Sequence, residues 1–121
     1  MTNVKHFKQT AEAYQKVFVE RQPIYKFGQS KQWVLRRNFA PLSKEATFVL
    51  RHGKETILTI IVPKRDDFSD LSGSEFILAE RLSLSEIDTV NSLLVDMQLN
   101  NVVVKLNKAD GKPVFTDNAE D

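Results

Sequence analysis

Between Tyr25 and Lys54 the sequence interleaves aromatic rings with cations. Tyr25, Phe27, Trp33, Phe39 and Phe48 lie among Lys26, Lys31, Arg36, Arg37, Lys44, Arg51 and Lys54. This is the chemistry of single-stranded nucleic-acid binding, where cations neutralise the phosphate backbone and flat rings stack on bases. Each stacked base contributes about 1–3 kcal/mol, so two usable rings suffice for a measurable site. Strand alternation puts Trp33, Leu35, Arg37 and Phe39 on one face, with Val34, Arg36 and Asn38 on the other. The expected nucleic-acid-binding residues are Lys26, Lys31, Trp33, Arg36, Arg37, Phe39, Arg51 and Lys54. The competing assignment makes Trp33, Phe39 and Phe48 core residues, with arginines reaching water from edge positions.

Other chemistries find little to work with. His6 and His52 sit on elements with no reason to meet, and turn geometry suffices to explain His52. Asp66, Asp67 and Asp70 lack the alternating spacing and terminal glutamate of a calcium loop. No serine occupies a strand–turn–helix nucleophile elbow. Gly28, Gly53, Gly73 and Gly111 are too widely separated to cradle a phosphate. Cysteine is absent, which excludes disulfides, thiol nucleophiles and thiolate-bound metals. A non-enzymatic protein is expected, with no catalytic residue, metal ligand or cofactor.

The elements that must position these residues follow from periodicity. Phe7, Ala11, Tyr14 and Phe18 share one side of a helix from about Val4 to Val19, which ends on the approach to Pro23. Ile24–Phe27 and Lys31–Phe39 read as strands. Ala46–Arg51 and Glu55–Val62 form the strongest strand pair, joined at His52-Gly53 in a hairpin that would set Phe48 opposite Ile57 and Thr47 opposite Leu58. Both faces of its second strand are apolar, so one should meet a helix and the other a second layer, a subunit or a ligand. Pro63 ends that strand, and Lys64–Ser74 is a polar loop before a further strand, Glu75–Leu82. Ser83-Leu84-Ser85-Glu86 fits a capping box, with Ile87, Val90, Leu94 and Met97 at helical spacing behind it. Val102–Leu106 is a last strand. The expected fold is α+β: an N-terminal helix, a mainly antiparallel sheet of four to six strands, and a second helix and last strand packed on one face. Residues 1–106 form the single domain, and residues 107–121 form a turn and a flexible acidic tail.

The 121 residues are enough for one domain. The net charge of +1 conceals a division: residues 1–66 carry +8 and residues 67–121 carry −7. Clustered cations gain free energy from phosphate contacts and counterion release, though the acidic half can also fold against the basic half. No apolar run is long enough to span a bilayer and the first twenty residues hold no secretory pattern, so a cytoplasmic location without membrane association is expected.

From Ala46 to Met97 the order is hairpin, long loop, strand, then a helix opening in Leu-Ser-Leu-Ser-Glu. In topology this resembles the single-strand-binding proteins of the Whirly and positive-cofactor type. The resemblance covers under half the chain and rests on element order. It implies curved strands carrying basic and aromatic side chains, and a helix that dimerises the fold. Two functions emerge: a small single-strand-binding protein, or a protein-binding or homodimeric module. In the second, the two-sided hairpin and the acidic helix, with Glu86, Asp88 and Asp96 as its rim, form the interface.

Overall fold

The fold is α+β: an N-terminal helix, a five-stranded antiparallel sheet, a second helix and a separate two-stranded sheet. The computed structural model describes residues 4–38, 41–66, 68 and 70–117. Helix α1 (Lys8–Tyr14) runs into a π-helical turn (Gln15–Val19). Strands β1 (Ile24–Phe27), β2 (Trp33–Asn38), β3 (Glu45–His52), β4 (Glu55–Pro63) and β5 (Glu75–Leu78) follow, with a 3₁₀ turn at Gln29–Lys31 between the first two. Helix α2 (Leu84–Asp96) precedes β6 (Val102–Leu106) and β7 (Pro113–Asp117).

Strands β1 to β5 pair in chain order, each antiparallel to the next. Directly paired residues share a face, so the register sorts the side chains. One face carries Leu35, Leu50, Leu58 and Leu78 in a cross-strand row, and Arg37, Phe48, Ile60 and Phe76 in the next. Both helices lie on this side. Ala13, Val17 and Phe18 from the first helical segment, and Ile87, Val90, Leu93, Leu94 and Met97 from α2, join the same buried cluster. Each fully buried apolar side chain contributes about 1.5–3 kcal/mol, so this face, not the opposite one, fixes the register.

Helix α2 is buried on several sides because it also touches α1 and β6. Its start follows from the capping box: the Ser83 hydroxyl accepts from the Glu86 N–H at 3.2 Å, and Glu86 Oε1 accepts from the Ser83 N–H at 2.8 Å. The α1 contact is polar at one point, where Ser92 Oγ accepts the Phe7 N–H at 2.8 Å and meets the Thr10 hydroxyl. On another side the buried Asn91 carboxamide pairs with Val104 as a strand would, accepting its N–H at 2.7 Å and donating to its carbonyl at 3.1 Å.

Two expectations for the hairpin change. The hairpin turns at Gly53-Lys54, one residue later than the spacing suggests, because Gly53 supplies φ +60° as the first turn residue. A bulge between Leu50 and Arg51 shifts the register further, so Phe48 faces Ile60 and Thr47 faces Ile61. Consecutive residues Ile57 and Leu58 can then both enter the core, at 1% and 0% exposure. The last strand, β6, lies with α2 beside the large sheet, as expected, and pairs with β7. Beyond the turn at residues 107–112, Pro113–Asp117 is that pairing strand, placing Phe115 edge-on to Phe76 at 6.4 Å.

Candidate functional site

The face of the sheet away from the helices has no covering layer among the described residues. Register places Lys26, Val34, Arg51 and Thr56 in one row across it, and Ile24, Arg36, Val49, Thr59 and Ile77 in the next. Lys26 and Arg51 thus flank Val34 on neighbouring strands, while Arg36 follows it two residues along β2. At that end of the sheet the β1–β2 connection carries exposed Lys31 and the β3–β4 turn carries exposed Lys54. The Gly53 N–H donates to the Gln32 carbonyl at 2.9 Å, which ties the two turns together, while Arg51 Nη2 donates to the Lys54 carbonyl at 2.9 Å within the β3–β4 hairpin. The acidic residues of this face, Glu45 and Glu75, lie towards its other end.

Four of the eight expected residues, Lys26, Lys31, Arg51 and Lys54, therefore gather at one end of the sheet, with Arg36 one row nearer its middle on the open face. Trp33 does not join them. It points to the helix side, half-buried in a row of rings, stacked at 6.0 Å on Phe27 and 4.3 Å on His52. Gly28 closes over this indole so tightly that a Cβ there would stand 2.8 Å from Trp33 Cδ1. His52 Nδ1 meets Glu86 Oε2 at 2.8 Å, joining the ring row to the cap of α2. Burial pushes the Glu86 carboxyl up, but hydrogen bonds from Ser83 and His52 outweigh it, and the carboxyl ends below its ordinary range. Phe48 is core at 0% exposure. Phe39 lies outside the described residues.

Arg37 belongs to a different place. It lies at the far end of β2, on the helix side, in a cavity of about 370 Å³ lined also by Arg21, Asn38, Ala46, Lys64, Arg65, Asp66 and Phe68. The guanidinium carbons of Arg21 and Arg37 stand 4.8 and 5.8 Å from the Phe68 ring centre. Phe68, only 5% exposed and edge-on to Phe48, makes the floor of the cavity part of the core. Arg21 takes φ +61° where the first helical segment ends, an unusual conformation for a residue with a side chain. Arg21, Lys64, Arg65 and Phe68 escape sequence reasoning because they come from two segments far apart in the chain, which the fold brings to Arg37. The available signal is Phe68 itself, a lone aromatic in a polar loop.

The charge division of the sequence is partly neutralised within the molecule. Lys5 meets Asp88 at 3.4 Å and Arg65 meets Asp70 at 3.0 Å, while the His6 and His52 rings hydrogen-bond to Asp96 and Glu86. The carboxylates that would rim an acidic interface on α2 are these same Glu86, Asp88 and Asp96. Among the described residues, none of Lys26, Lys31, Arg36, Arg37, Arg51 and Lys54 forms an ion pair with a carboxylate. No three histidine, aspartate or glutamate side chains among the described residues converge as metal ligands, and no described helix is long and apolar enough to cross a membrane. Comparison with protein-family models, curated proteins and solved structures gives no match.

Proposed function

We propose that the protein is a non-enzymatic nucleic-acid-binding protein of the cytoplasm that carries a single strand across the open face of its sheet. One observation supports this reading above the others. Lys26, Lys31, Arg36, Arg51 and Lys54 lie on or beside the uncovered face of the sheet, and no described carboxylate pairs with them. Phosphates lie against these five cations, which displace the counterions condensed on the strand, while Val34 and the Thr56 and Thr59 hydroxyls form the floor between them. The rings are held on the opposite side, so affinity comes from the backbone and sequence preference is weak.

The second reading is a protein partner or a second copy on the same face. It is favoured by the β-branched side chains there, with Ile24 and Ile77 40% and 45% exposed at the two edges. Fluorescence anisotropy of a labelled oligothymidylate between 50 and 200 mM salt separates the two. Five phosphate contacts to a single strand give a log–log salt slope of about −3.5, and Lys26→Gln or Arg36→Gln each reduce it by about 0.7 while leaving the far-ultraviolet spectrum unchanged. Absence of saturable binding, combined with a sedimentation mass that rises with concentration, transfers the assignment to the partner module.

A further inference from the structure

The cavity around Arg21 and Arg37 lies on the helix side of the sheet, away from the face that carries the open cations, so its geometry does not depend on the strand-binding reading. Two guanidinium groups share a single ring there, which bounds their separation to the sum of 4.8 and 5.8 Å. Among the described residues, neither Arg21 nor Arg37 meets a carboxylate. Their neighbour Arg65 differs: it is held by Asp70 at 3.0 Å, by the Ser72 carbonyl at 2.8 Å and by the Pro63 carbonyl at 3.2 Å, so it frames the cavity. Like charges brought together in a partly enclosed space repel, and a dianion between them removes that cost.

We propose that this cavity binds a phosphomonoester attached to a sugar. Guanidinium forks match phosphate oxygens, and two of them facing one cavity suit a dianion better than a single carboxylate. The volume of about 370 Å³ exceeds that of a bare anion and falls at the small end of ligand sites. Asn38 and Asp66, also in the lining, are the groups for sugar hydroxyls. Phe68 already carries two cations and offers no face for a base, so recognition stops at the sugar phosphate. Such a group is either a free sugar phosphate or the phosphorylated end of a strand.

The test uses calorimetric titration of the full chain with ribose 5-phosphate, and with octathymidylates bearing either a 5′-phosphate or a 5′-hydroxyl. Arg21→Gly is the informative variant, because glycine suits φ +61° and the fold should hold its melting temperature or gain. Arg37→Gln provides an independent check. Saturable binding of ribose 5-phosphate, weakened roughly tenfold or more by either substitution, supports the free ligand. A phosphate-dependent gain confined to the oligonucleotide and lost in Arg21→Gly supports the strand end. Both effects should survive Arg36→Gln, which lies on the other face. If ribose 5-phosphate shows no saturable binding and the two oligonucleotides bind alike, or if Arg21→Gly binds as the wild type does, the proposal is wrong.

Discussion

Glu86 joins two structures with one side chain. Its Oε1 accepts the Ser83 N–H, completing the cap of α2, and its Oε2 meets His52 on the sheet. Its carboxyl lies below the ordinary glutamate range in the folded chain, so the ionised form is favoured by folding. That contribution is fully present above the unfolded value of about 4.3 and disappears as pH falls through the lower folded value. Glu86→Ala should therefore cost about 1 kcal/mol at neutral pH by urea unfolding. Glu86→Gln, which preserves the reach of the capping side chain, should flatten the acid limb of the stability curve. An unchanged acid limb would mean that other carboxylates set it. Tyr25 makes a comparable tie between β1 and α1. Its hydroxyl donates to Glu12 at 2.7 Å, and this bond, with burial and the glutamate charge, raises the phenol above its usual range.

At the scale of elements, the hairpin β6–β7 is held by a side chain as much as by its own ladder. Val104 turns its backbone N–H and carbonyl away from β7 towards Asn91, which is 8% exposed. Asn91→Leu leaves both groups buried without partners, at roughly 1–3 kcal/mol each. Hydrogen exchange at the Val104 amide should accelerate strongly, and a protected amide in that variant would show that β6 finds another anchor. This contact also marks the limit of what the sequence displays. The capping box, the helix behind it and the alternation along β2 are local patterns, and all three appear at the expected residues. The hairpin register was not legible, because the bulge that buries both Ile57 and Leu58 is set by tertiary packing. The seating of β6 against α2 likewise depends on Asn91, whose polarity within an apolar helix face is its one trace in the sequence.

For the whole molecule, the basic half of the chain is divided between two sides of one sheet. Neighbours Arg36 and Arg37 point in opposite directions from β2, so a cation-rich stretch in sequence becomes two separate places in space. The candidate residues were legible as a group, and their separation was legible from alternation alone. Which side the helices cover was not, and that decides why Trp33 lies on the packed side while Lys26, Arg36 and Arg51 lie on the open one. Stability and charge are also separable at this scale. The large sheet is held by an apolar core, while the ion pairs include exposed partners such as Lys5 and Lys16, worth little each. Raising salt from 0.05 to 0.5 M should change unfolding stability by under about 1 kcal/mol while abolishing oligonucleotide binding. A parallel loss of both would place the cations in the folding machinery.

The indole packed between Phe27 and His52 has a practical corollary. The chain contains one tryptophan, and its near neighbours are the glycine that covers it and the histidine that reaches the start of α2. Its emission is therefore an internal gauge of whether that helix is seated on the sheet. A red shift ahead of the main unfolding transition would time the detachment of α2, with no label added to the molecule.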